Sequence, residues 1–145
     1  MVRFSIAGVG DFDGNGKADI LWRGPAGEVA IWFMNGAALV SGPVVAGAPQ
    51  TWNIVGVGDF DGNGRADILW RNSAGEGAFW FMNGATIVSG PSIGVIPNEW
   101  SINAVSDFTG DGKADILWRY TNGTLGYWQM NGAAATAAPT LGVVP

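Results

Sequence analysis

The chain has 145 residues, 48% of them hydrophobic, a net charge of −5, and neither cysteine nor histidine. That composition fills the core of one ordinary domain and makes disorder the wrong expectation. Disulfides, thiolate or imidazole metal sites and every histidine-based catalytic arrangement are excluded, and seven basic residues spread singly offer no phosphate-tracking patch for nucleic acid or anionic membrane.

The opening segment MVRFSIAGVG has no basic stretch followed by an apolar run and a cleavage site, so no signal peptide is read there, and no apolar run reaches the roughly 18 residues of a membrane span. The chain begins inside a repeat: Asp11, Asp59 and Asp107 are 48 residues apart. Such a period marks a repeat architecture. One segment, 1–145, therefore holds three units of about 4–51, 52–99 and 100–145, compatible with a natural short protein, an engineered chain or an excerpt of a longer secreted array.

In chain order the first unit opens on an aromatic residue, Phe4, matched by Trp52 and Trp100. A first strand, SIAGVG, repeats as NIVGVG and SINAVS; its small residues suit backbone crowded near an axis. The acidic loop follows. It holds nine of the twelve acidic residues across its three copies. A second strand, ADILWR, and a third, VAIWFMNG, are apolar on both faces: Ile20 and Trp22 oppose Leu21, and Trp32 with Met34 alternates with Ile31 and Phe33. A strand of that kind must be covered on both sides. Asn35-Gly36, Asn83-Gly84 and Asn131-Gly132 are the favoured pair for a two-residue hairpin turn. ALVSGPVV, TIVSGPSI and AATAAPTL are read as the fourth strand.

Gly or Pro interrupts every window long enough for a helix. The reading is all-β, with three four-stranded β-propeller blades per chain. Known propellers close with about four to eight blades, so three would leave end blades exposing more apolar surface than a soluble monomer usually tolerates. Association of copies is expected, a six-bladed dimer favoured over a nine-bladed trimer.

Within the acidic loop, oxygen-bearing residues stand at positions 1, 3, 5 and 9, with a carbonyl at position 7: Asp11, Asp13, Asn15, Lys17 and Asp19; Asp59, Asp61, Asn63, Arg65 and Asp67; Asp107, Thr109, Asp111, Lys113 and Asp115. This is the ligand order of an EF-hand-like calcium loop, in which alternate residues turn oxygen toward a hard cation. Every loop keeps three carboxylates, because Thr109 for an Asp is offset by Asp111 for an Asn. Without a cation, carboxylates about 5 Å apart repel by roughly 3 kcal/mol per pair at an effective dielectric near 20, a large sum against a stability of about 5–15 kcal/mol. Up to three Ca2+ per chain are expected. Trp22, Trp70 and Trp118 stand where an EF-hand has its bidentate Glu, which weakens affinity toward the roughly 10⁻⁴–10⁻³ M of extracellular modules.

GVGDFDGNGKADILWR and its two copies resemble FG-GAP or VCBS-type repeats, the calcium-loop blades of integrin α-subunit propellers and of many bacterial secreted proteins. The resemblance covers the whole chain, although Val57-Gly58 stands in place of the Phe-Gly of the family name. It implies a calcium-stabilised propeller with the loop joining the first two strands of each blade, an extracellular setting, and a role in adhesion or recognition. A similar group of calcium-containing propeller lectins binds sugars in clefts between blades.

Trp22, Trp32 and their copies read as packing, whereas Phe4, Trp52 and Trp100 sit closer to an inter-blade cleft and are the candidates for sugar contact. Phe33, Phe81 and Gln129 face a groove or the rim. Arg23, Arg71 and Arg119 read as ion pairs with a loop Asp of the adjacent blade. Glu28 and Glu76, with Thr124 in the third copy, read as solvated turn residues, since carboxylates 48 positions apart make poor acid/base partners. Nothing resembling a catalytic constellation occurs once, and repetition suits multivalent binding. The expected function is a multivalent, lectin-like binding module and not an enzyme. The alternatives are a protein-interaction propeller with structural calcium, or the non-catalytic domain of a secreted hydrolase.

Overall fold

A computed structural model of the chain describes residues 3–144. Among them are fifteen strands and no helix. The first sheet contains β1 (Ser5–Gly10), β2 (Asp19–Arg23), β3 (Glu28–Asn35), β4 (Ala38–Ser41) and β5 (Val44–Gly47). The second contains β6 (Trp52–Gly58), β7 (Asp67–Asn72), β8 (Glu76–Asn83), β9 (Thr86–Ser89) and β10 (Ser92–Val95). The third contains β11 (Trp100–Ser106), β12 (Asp115–Tyr120), β13 (Thr124–Asn131), β14 (Ala134–Ala137) and β15 (Thr140–Val143). All pairing is antiparallel, and each sheet meanders in chain order.

The expected single fourth strand is two. β4 and β5 both pair with β3, one along Phe33–Asn35 and the other along Glu28–Ala30. The break is at Gly42-Pro43. Proline has no N–H for the ladder, but its carbonyl still accepts the amide of Ile31 at 3.0 Å, so the two pieces continue one edge. Each sheet is thus a four-position blade with an interrupted outer strand.

The hairpin turn also differs from expectation by one residue. Asn35 pairs with Ala38, which places Gly36 and Ala37 in the loop. Gly36 has φ of +60° and no described non-glycine residue has positive φ. Glycine alone at the first central position is the signature of a II′ turn rather than the Asn-Gly I′ form.

The blades stack through a bulge. Ile6 pairs with Trp22 and Gly8 with Leu21, leaving Ala7 extra; the same irregularity falls at Val55 and Asn103. An extra residue reverses the alternation of side chains. Ile6 and Val9 therefore share the leading face, toward a preceding blade, and Gly8 with Gly10 lies on the trailing face. A Cβ on Gly8 would stand 2.6 Å from Val57 Cγ2 of the next blade, and one on Gly56 2.7 Å from Val105 Cγ2. The glycines are there because valine methyls of the following blade fill their space.

The core consequently lies between blades. One cluster joins Phe12, Leu21, Val29 and Ile31 of the first blade to Ile68, Trp70 and Met82 of the second. The other joins Phe60, Leu69 and Phe79 to Ile116, Trp118 and Met130 of the third. Both faces of the second and third strands are covered in the middle blade, as their two-sided apolar pattern demands.

Candidate metal centres and inter-blade clefts

Each acidic loop is wound around the carboxylate of its first residue. Asp11 Oδ1 accepts the amides of Gly14 and Asn15 at 2.9 and 3.2 Å, and its Oδ2 accepts Gly16 at 2.7 Å. Asn15 Oδ1 in turn accepts the amide of Lys17. Gly14 and Gly16 have φ of +77° and +83°, conformations open to glycine without a Cβ penalty. The second loop repeats these bonds at Asp59, Gly62, Asn63 and Gly64, and the third at Asp107, Gly110, Asp111 and Gly112.

The ninth residue comes from the first position of the second strand. Asp19, Asp67 and Asp115 are each fully buried. Asp19 accepts the amides of Phe12 and Met34, tying the loop to the third strand; Asp67 does so with Phe60 and Met82, and Asp115 with Phe108 and Met130. Burial pushes the Asp67 carboxyl up to about 7, and the charges of Asp61 and Asp59 add to the rise. Asp13 and Asp61 are also raised, chiefly by desolvation. Amides of Gly112, Gly110 and Asp111 hold exposed Asp107 below the usual carboxylate range.

Asp11, Asp13 and Asp19 bring one oxygen each within 4.8 Å of one another, and so do Asp59, Asp61 and Asp67. These two groups can hold a metal ion, and an all-carboxylate donor set fits a hard cation. Among the described residues the third loop forms no such group. Its acid moved from position 3 to position 5, the Thr109 hydroxyl turns to Asp107 Oδ1 at 3.4 Å, and Asp115 Oδ2 accepts the Tyr127 hydroxyl at 3.1 Å. Equal carboxylate counts do not give equal geometry. The side chains of position 7 point elsewhere: Lys17 and Lys113 donate to Asn35 and Asn131, while Arg65 lies over Gly14 of the preceding loop.

Of the units' first residues, Trp52 and Trp100 line clefts between blades. Trp52, Trp70 and Trp80 face Gly47, Ala48 and Pro49 across a cleft of about 260 Å³. Trp100, Trp118 and Trp128 face Ile93, Ile96 and Pro97 across one of about 300 Å³. Phe4, Trp22 and Trp32 form the matching wall of the first blade. The tryptophans read as packing are therefore cleft walls as well. Trp70 and Trp118 are buried, yet their indole N–H groups have no hydrogen-bond partner. Phe33 and Phe81 belong to the inter-blade clusters.

Arg23 and Arg71 do not pair with a loop Asp. Arg23 donates to the carbonyls of Gly27, Ala48, Pro49 and Trp52 and lies over the Trp70 ring, 4.9 Å from its centroid. Arg71 repeats this with Ile96, Pro97, Trp100 and the Trp118 ring. Desolvation lowers both guanidinium groups, which nonetheless stay charged. The planar fork clasps the inter-blade linker, whose bare carbonyls the sequence does not display. Glu28 and Glu76 are half-buried braces of the turn before the third strand, accepting the amide of Ala26 and the side chain of Asn72.

A family model for FG-GAP-like repeats matches residues 11–70 and 59–118, and one for the FG-GAP repeat matches 100–137. The chain belongs to the FG-GAP repeat family. Each FG-GAP-like match runs from the first Asp of one loop to the Trp of the next blade's second strand, the stretch that builds one inter-blade junction. No curated protein matches the chain. The FG-GAP repeats and the three antiparallel sheets make this a β-propeller-like module of tandem blades.

Proposed function

We propose that this module is a calcium-stabilised, non-catalytic binding protein of the extracellular space, and that its inter-blade clefts take up sugar rings. The observation that carries the sugar reading is the recurrence, in both complete clefts, of three tryptophans among the lining residues. The half-buried Trp52, Trp80, Trp100 and Trp128 leave indole surface on which a sugar ring would stack. The cleft volumes, about 260 and 300 Å³, fall at the small end of ligand sites. Two weak sites on one chain add through effective concentration.

The metal reading rests on the donor set. Asp11, Asp13 and Asp19, with the matching acids of the second loop, would hold the ion. A bound Ca2+ would supply the positive charge that lets three adjacent carboxylates stay ionised. A calcium affinity in the extracellular range would suit a secreted or cell-surface setting.

A glycan array probed in millimolar calcium tests the proposal. Binding to a defined sugar class is expected, lost in Trp80→Ala and Trp128→Ala with the fold retained. An array blank in calcium would overturn the sugar reading and leave a protein-interaction propeller.

A further inference from the structure

Two faces of this chain lack a covering blade, and each is the counterpart of a face that is covered elsewhere in it. On the leading face of the first blade Ile6 is 61% exposed, whereas Ile54 and Ile102 pack against the blade before them. On the trailing face of the third, Phe108 is 51% exposed, whereas Phe12 and Phe60 are fully buried by the blade that follows. Charge follows the same rule. Arg65 lies against Gly14 and Lys113 against Gly62, so each of the first two acidic loops has a cation from the next blade. Gly110 of the third loop has nothing within 4 Å of a Cβ position.

We propose that these two faces cover each other between copies of the chain: the first blade of a second copy docks on the third blade of the first, head to tail, until a ring of two or three copies closes. The template is the junction the chain already makes twice. In it the amide of Ala66 donates to the Asp11 carbonyl at 2.8 Å, and that of Ala114 to Asp59 at 2.7 Å; in the seam, Ala18 of the second copy meets Asp107. Phe108 is buried, and Lys17 of the second copy comes over Gly110. The open wall of Phe4, Trp22 and Trp32 becomes a whole cleft, which a single chain does not complete.

The seam is the loosest junction of the ring. Where the inner strands of the first two blades have Gly8, Gly10, Gly56 and Gly58, the third has Ala104 and Ser106. A Cβ on Gly58 would approach Val105 Cγ1 to 3.0 Å and Ala114 Cβ to 2.9 Å. The seam therefore stands wider than the intrachain junctions and opens on dilution.

Sedimentation of the 145-residue chain in calcium over a dilution series tests this. Two or three times 15.1 kDa is expected at high concentration, falling to the single-chain mass on dilution. Ile6→Glu and Phe108→Asp, each at an exposed position, should separately give single chains whose far-UV circular dichroism is that of the parent; Val9→Lys serves for the leading face if Ile6→Glu does not fold. Ala104→Gly with Ser106→Gly should lower the dissociation midpoint about tenfold, equivalent to ~1.4 kcal/mol. A single-chain mass at every concentration, or dissociation by only one of the two face variants, overturns head-to-tail closure. An unchanged midpoint in the glycine variant overturns the loose seam.

Discussion

Asp67 shows how far a buried carboxylate departs from its solution behaviour. Its folded pKa of about 7, against an ordinary 3.8, means that the folded chain holds a proton between those values that the unfolded chain has lost. The stability this contributes is complete below about pH 4 and disappears as pH rises through 7. In chelator the melting temperature should therefore fall from pH 5 to pH 8; in calcium, which favours the ionised form, the slope should flatten. A melting temperature that climbs with pH in chelator would contradict the assignment. Asp107, held low by its amides, acts in a separate window: its contribution is present above pH 4 and lost only as pH falls further. Asp67→Asn should reduce the chelator slope, to which Asp13 and Asp61 also contribute, and remove the response of the second loop to calcium. At Arg23 the expected loss is structural. Arg23→Ala strands the carbonyls of Ala48, Pro49 and Trp52, each costing about 1–3 kcal/mol where water is excluded. A melting temperature lower by several degrees is expected, recovered only partly by Arg23→Lys, which has no fork.

At the level of strands and turns, the positions that mattered were glycines. Gly8→Ala should cost about 1–3 kcal/mol by overpacking against Val57, read as a lower urea midpoint with unchanged slope; Gly47→Ala, with only the Gly27 carbonyl at 3.8 Å, is the control and should change little. Much of this level was legible in the letters. The 48-residue period, the two-sided apolar strands and the loop spacing carry their own physics, and the strands formed where they indicate. The bulge at Ala7, the broken fourth strand at Pro43 and the II′ turn at Gly36 were not legible. Each depends on register against a neighbouring strand, and a single residue of slip moves it without altering composition. The Arg23 reading failed for the same reason: beyond Gly27, the carbonyls that Arg23 reaches lie 25 to 29 residues away, and backbone oxygens leave no mark in a sequence.

For the chain as a whole, the three loops divide two against one. Calorimetric titration with calcium should report two ions per chain bound with similar affinity, and a third weakly or not at all, because among the described residues the first two loops gather three carboxylates and the third does not. Three equivalent ions would contradict that division. Tyr127 is the lever: Tyr127→Phe frees Asp115 Oδ2 from its hydroxyl and should strengthen the third site. The count of acids could be read from the sequence, but the Tyr127 contact could not. A last consequence concerns the smallest unit that holds its shape. Phe12, Leu21 and Ile31 share their cluster with Ile68, Trp70 and Met82 of the sheet that follows, so a single excised repeat loses the far side of its interior. Residues 4–51 alone should behave as an unstructured peptide, and cooperative melting should first emerge when two consecutive repeats are joined.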